Sequence, residues 1–215
     1  LYDDRDTTEQ TMQRQWKPAA RITTLALAFV LSACPSKEKE PTPSARQPGA
    51  VTGEVKEMQI KVTSTDFDHE KVMPSKLGCE GNDTAPALSW TGVPEGTKSL
   101  ALIMDDPDAP DPAAPKMTWV HWVLFNLPPD TKALSAGAKG ADLPEGTEVG
   151  LNDWKRADYG GPCPPKGRHR YFHKIYALDT KLDLSKPTKA ELEKAMKGHI
   201  LARGELIGTY QKGDP

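Results

Sequence analysis

Three carboxylates and two prolines crowd the six residues Asp105-Asp106-Pro107-Asp108-Ala109-Pro110. An apolar run, residues 100–104, leads straight into them. Proline fixes φ and lacks a backbone donor, so such a stretch does not suit the interior of a helix or a central strand. It predicts a rigid turn at a strand end, with its acids aimed in one direction. The chain must supply what they aim at.

The rest of the chain reads as β structure. Twenty prolines and 17 glycines among 215 residues favour a loop-rich β protein over a helical bundle. Residues 58–64 alternate apolar and polar, residues 87–90 are short and apolar, and residues 99–104 are apolar on both faces. Residues 118–127 are almost wholly apolar, with His121 in their middle sharing a strand face with Trp119 and Val123. Residues 152–167 form a long loop around Tyr159-Gly160-Gly161-Pro162-Cys163. Residues 168–178 are a strand, with His169, Tyr171, His173, Ile175 and Ala177 on one face. One helix is expected over residues 188–203, opened by a Thr188/Glu191 capping box and ended by Gly204. The fold class is therefore all-β dominated, with one or two C-terminal helices.

The N-terminal part has a different character. Arg14, Lys17 and Arg21 precede an uncharged, mostly apolar run over residues 22–33. That run is shorter than the roughly 20 residues a spanning helix needs, and it reads as a secretory signal. It ends in Leu31-Ser32-Ala33-Cys34, which resembles the lipobox of bacterial lipoproteins. The resemblance implies that Cys34 is acylated and anchors the protein to a membrane. Residues 1–34 are thus expected to be the signal peptide, with 1–11 a start-site artefact before Met12. Residues 35–57, rich in Pro, Ser, Lys and Glu, are expected to be a disordered tether to a domain spanning 58–215. The expected address is the cell envelope, on its periplasmic or extracellular face. Pro35 after the cysteine, rather than aspartate, favours the outer membrane.

The formal net charge of −2, from 28 basic and 30 acidic residues, argues for no nucleic-acid partner. The chemistry sits in polar residues stranded within apolar strands. A carboxylate on one nitrogen would orient an imidazole and favour its charged form, leaving the other N–H for a cavity. Histidines, a tyrosine hydroxyl and glycine-loop N–H groups would together suit a small anion such as phosphate.

The series Cys79-Glu80-Gly81-Asn82, Asp106-Pro107-Asp108-Ala109-Pro110, His121-Trp122, Tyr159-Gly160-Gly161-Pro162 and His169-Arg170-Tyr171 resembles the phosphatidylethanolamine-binding protein family. Within it the chain is most similar to the bacterial branch called Raf-kinase-inhibitor-like or YbhB/YbcL-like. The resemblance implies a β-sandwich of two antiparallel sheets with an anion pocket at one end. It implies a pocket built from Asp106, Asp108, Trp119, His121, Gly161, Pro162, His169 and Tyr171. Asp106 and Asp108 would hold His121 and the loop, and Asp105 would be structural. The expected ligand is a phosphate-bearing small molecule or a phospholipid head group, with no cofactor, no metal and no catalysis. One alternative is a protein-interaction module that inhibits an envelope protease or other enzyme. A metal-dependent hydrolase is another. Cys79 and Cys163 are either a disulfide or two free thiols.

Overall fold

The computed structural model describes residues 58–215. The expected signal peptide, Cys34 and the tether lie outside the described residues.

The strands are β1 (Met58–Gln59), β2 (Lys61–Ser64), β3 (Lys71–Val72), β4 (Leu88–Thr91), β5 (Ser99–Asp106), β6 (Trp119–Leu127), β7 (Ala133–Leu134), β8 (Glu148–Val149), β9 (His169–Leu178) and β10 (Ile200–Tyr210). One α-helix, α1 (Lys189–Met196), precedes β10. A seven-stranded sheet runs β1-β10-β9-β5-β6-β8, with β3 also on β10; a three-stranded sheet runs β2-β4-β7. The expected β-rich, two-sheet architecture holds, with one refinement. The larger sheet is antiparallel through β10-β9-β5-β6-β8, but β1 and β3 join β10 in parallel.

The larger sheet is covered on both sides, which is why β5 is buried at every position. Leu100, Leu102 and Met104 face the smaller sheet, in a core shared with Trp90, Trp122, Ile175 and Leu206. Ala101 and Ile103 face the other way, toward Leu192 and Met196 of α1. Period-two alternation in a doubly covered strand produces a continuous apolar run rather than an alternating one.

Three expectations about elements change. The first strand is split: β1 pairs β10 in the larger sheet, and β2 pairs β4 in the smaller one. The crossing at Ile60 passes so close to β10 that a Cβ at Gly204 would fall 1.8 Å from the Ile60 carbonyl oxygen. Gly204 is thus a close-approach glycine within a strand, not a helix terminator.

The helix is half its expected length. Its capping box is present, with the Thr188 hydroxyl accepting from the Glu191 N–H and the Glu191 carboxylate accepting from the Thr188 N–H. Gly198, at φ 86°, turns the chain just past its end. Residues 200–210 then form the longest strand, with Ala202, Gly204, Leu206, Gly208 and Tyr210 buried in alternation. From Ala202 on, burial follows a period of two.

The acidic stretch is not wholly a turn. β5 continues through Asp105 and Asp106, which pair with Val120 and Trp119. Adjacent strand residues point to opposite faces, so the acids cannot share one target.

Candidate functional site

The site is built around an irregularity in β6. Met104 pairs with Trp122 and Asp105 with Val120, leaving His121 as an extra residue opposite β5. Such a bulge re-aims side chains. Val120 and Val123 both join the cluster under α1, whereas Trp122 enters the inter-sheet core. His121 therefore keeps company with Trp119 but not with Val123, contrary to simple alternation.

His121 and Trp119 line a cavity of about 430 Å³, together with Asp106, His169 and Tyr171. Its outer wall carries Met117, Trp154, Pro164 and Pro165. Trp154 packs edge-on against both Trp119 and His121, at 5.3 and 5.2 Å between ring centroids. Tyr171 meets His121 edge-on at 5.2 Å and stacks on His169 at 6.4 Å.

Hydrogen bonding separates these residues into two kinds. His169 is saturated: Nδ1 lies 2.7 Å from Asp106 Oδ2 and Nε2 lies 3.0 Å from the Lys166 carbonyl oxygen. Asp106 also accepts from the Asp108 N–H at 2.8 Å. Burial raises the Asp106 carboxyl above the ordinary range, against the lowering effect of His169. By contrast, His121 Nε2, Trp119 Nε1 and the Tyr171 hydroxyl are buried with no partner. Each unsatisfied buried group costs about 1–3 kcal/mol. Three of them on one cavity make it the candidate binding site.

His121 is oriented from behind. Its Nδ1 lies 2.6 Å from the Gly160 carbonyl oxygen. A carbonyl can only accept, so Nδ1 carries a proton. Burial pushes the imidazole pKa down to about 4, despite the Gly160 bond and the charges of Asp105 and Asp153. Burial thus favours the neutral ring. Burial pushes the Tyr171 hydroxyl far above its ordinary value, so it remains a donor.

Several expected roles are corrected by these contacts. Asp106 holds His169 and not His121. Asp108 does not line the cavity; it accepts from the Arg170 backbone N–H at 2.9 Å and from the guanidinium at 2.7 and 2.9 Å. The guanidinium holds its carboxyl below the usual range. Gly161 and Pro162 do not line the cavity either. The Gly161 N–H donates to Asp83 Oδ1 at 2.7 Å, and the Gly160 N–H to the His121 carbonyl oxygen at 3.1 Å, so both are engaged within the fold. A Cβ at Gly161 would fall 2.1 Å from the Leu77 carbonyl oxygen, so the glycine permits the loop to pass. Cys79 and Cys163 form a disulfide across 84 residues, which ties this loop down and makes Cys163 part of the cavity wall.

Trp154, Met117 and the Pro164-Pro165 wall were missed in the sequence. Trp154 had a signal: a large aromatic in a polar loop, and it stands 40% exposed. A larger hollow of about 540 Å³ lies beside residues 91–97 and 129–132, but none of the partnerless buried polar atoms lines it. Among the described residues, no group of three or more His, Cys, Asp and Glu is placed to hold a metal ion.

Comparison with known proteins supplies the last observation. Residues 63–211 match the family described as phosphatidylethanolamine-binding protein. A UPF0098 protein of Methanothermobacter thermautotrophicus is 48% identical over 149 residues, covering 68% of this chain and 95% of that protein. A UPF0098 protein of Aquifex aeolicus is 40% identical, covering 71% and 89%. Among solved structures, a phosphatidylethanolamine-binding protein homologue from Chlamydia trachomatis is similar at TM-score 0.65 and 39% identity, covering 72% of this chain and 98% of that one. YbcL of E. coli, described as a member of the mammalian family, is similar at TM-score 0.64 and 35% identity, covering 71% and 98%.

Proposed function

This chain belongs to the phosphatidylethanolamine-binding protein family, and on that premise we propose that it is a binding protein for a phosphate-bearing small molecule or head group. The observation that carries this reading is the convergence of Trp119 Nε1, His121 Nε2 and the Tyr171 hydroxyl, buried and partnerless, on one cavity. Trp119 and Tyr171 present donors and His121 adds a third polar atom, a set that can hold a phosphate by its oxygens.

We further propose that the protein works outside the cytoplasm, held to a membrane through Cys34. The basic flank, the short apolar run and Leu31-Ser32-Ala33-Cys34 support this reading. The Cys79–Cys163 disulfide suits an oxidising compartment. Labelling with a radioactive fatty acid should mark the wild-type protein, and Cys34→Ala should remove the label and release the protein from membranes. An unlabelled wild type would remove the anchor from this account.

Calorimetric titration with phosphoethanolamine tests the ligand. The wild type should bind, and His121→Ala should weaken binding at least about tenfold, or 1.4 kcal/mol. If neither phosphoethanolamine nor inorganic phosphate binds, the cavity is not a phosphate site. Met117 and Trp154, 52% and 40% exposed at the mouth, favour a second reading in which a protein partner covers the cavity. Partner binding would then survive His121→Ala and fail in Trp154→Ala.

A further inference from the structure

The disulfide between Cys79 and Cys163 divides the long loop after β8 into a fixed half and a free half. Before it, Tyr159 donates its hydroxyl to the Leu77 carbonyl oxygen at 2.9 Å, and the Gly161 N–H donates to Asp83 Oδ1 at 2.7 Å. The Cys79 N–H donates to the Pro162 carbonyl oxygen at 3.0 Å. These bonds hold residues 159–162 against the Cys79 loop without help from sulfur. After it, Pro164 and Pro165 have no N–H to offer. Among the described residues, no turn or loop hydrogen bond starts from a backbone N–H of residues 163–167. The Lys166 ammonium meets Asp111 at 2.5 Å, but its side chain is 73% exposed, and an exposed pair holds little. What remains is the bond from His169 Nε2 to the Lys166 carbonyl oxygen, 3.0 Å, and the sulfur of Cys163. Yet this weakly held stretch supplies Cys163, Pro164 and Pro165 to the cavity wall.

We propose that the disulfide is a redox latch: its reduction by a dithiol releases residues 163–167 from the cavity wall and frees the His169 Nε2–H for the ligand. The consequence for the ligand rests on the phosphate reading above. Cys79 is exposed and Cys163 half-buried, so a thiolate reaches the bond from the Cys79 side. It attacks Cys79 Sγ, a mixed disulfide forms, and Cys163 leaves as a thiolate that takes up a proton. The second thiol of the reductant then attacks the mixed disulfide and releases Cys79. Two electrons pass to the protein, whose cysteines end as thiols, and the dithiol ends as a disulfide.

A carbonyl oxygen can only accept, so His169 Nε2 carries a proton in the latched state. When Lys166 withdraws, that N–H is left without a partner beside the cavity, while Nδ1 stays on Asp106 at 2.7 Å. A donor newly free for a charged phosphate oxygen outweighs the ordering of a short stretch rich in proline, which has little entropy to lose. A bond that served only to staple the fold would act the other way, since its loss could only loosen the site.

Trypsin cleavage of the full chain with and without dithiothreitol tests the release. Lys166 lies in the freed stretch. Lys155 and Arg156 lie in the same loop but are held: the Arg156 N–H donates to Asn152 Oδ1 at 3.0 Å, and the Lys155 N–H to the Asn152 carbonyl oxygen at 2.9 Å. Dithiothreitol should speed cleavage after Lys166 about tenfold and leave cleavage after Lys155 and Arg156 unchanged. The double variant Cys79→Ser, Cys163→Ser should behave as the reduced protein does, without reductant. By calorimetry, the reduced protein should bind phosphoethanolamine at least about threefold more tightly than the oxidised one. Cleavage that stays the same, or that rises equally at all of these sites, overturns the latch in favour of a structural staple. Affinity that is equal or weaker after reduction overturns the switch while leaving the phosphate site standing. If neither form binds phosphoethanolamine, the phosphate reading falls, and cleavage after Lys166 alone decides the latch.

Discussion

Asp105 and Asp106 are neighbours on β5, yet the fold treats the two faces they reach in opposite ways. Under α1, Asp105 is buried and saturated: Lys174 Nζ donates to both its oxygens at 2.8 Å, and Lys189 Nζ approaches at 2.5 Å. On the inter-sheet side, Asp106 borders a cavity that holds three buried polar atoms with no partner. A buried charge demands its counter-charge within the fold. Neutral polar groups left open in a cavity are better understood as reserved for something that arrives later. The closed cluster joins α1 to the sheet, and the open one is the site proposed to bind a ligand.

The largest effect should come from breaking the closed side. Asp105→Ala leaves two lysines, only 24% and 19% exposed, without their carboxylate. Truncating one partner of a buried pair costs about 3–5 kcal/mol. Urea denaturation should show a loss of that order, while phosphoethanolamine affinity of the folded fraction stays near wild type. A small stability change with lost binding would reverse the assignment of the two faces.

Acid should next expose the open side. His121 and His173 are both held neutral by burial, with pKa values pushed down to about 4. In the unfolded chain each would titrate near 6.5. The unfolded state thus binds more protons between the two values. Their contribution is fully present above about pH 6.5 and is lost as pH falls toward about 4. The loss is on the order of 3 kcal/mol per histidine. His173→Leu should remove about half of that pH slope in urea midpoints. An unchanged slope would mean that His173 is not a neutral core residue.

The smallest stability effect belongs to Tyr171→Phe. It deletes a hydroxyl that bonds to nothing within the fold, so stability should move by less than about 1 kcal/mol, in either direction. Binding of phosphoethanolamine should nevertheless weaken about tenfold. A variant that is clearly destabilised yet binds normally would make the hydroxyl structural.

Much of this contrast was legible before any coordinates. His121, His169, Tyr171 and Asp106 stood out as polar residues within or at the ends of apolar strands, and all line the cavity. The odd face of β9, from His169 to Ala177, is buried at every position, as its alternation predicted. What was not legible depended on partners distant in the chain. The bulge at His121 exists only in its pairing with β5, and the tautomer follows from a carbonyl 39 residues away. Asp108 looked like a pocket acid until Arg170, 62 residues on, took its carboxylate. The residues after Met196 looked helical because strand and helix periods coincide over a few apolar residues, and only Gly198 with the pairing to β9 decides the matter.

The sequence by itself determined the β-rich class, the two covered strands and the residue types at the cavity. Those follow from local composition and from the period of burial along each strand. The tertiary structure alone decided where each acid of the 105–110 stretch points and which histidine is saturated. A side chain's protonation and direction are set by the donors and acceptors packed against it, and those come from strands and loops that only folding brings together.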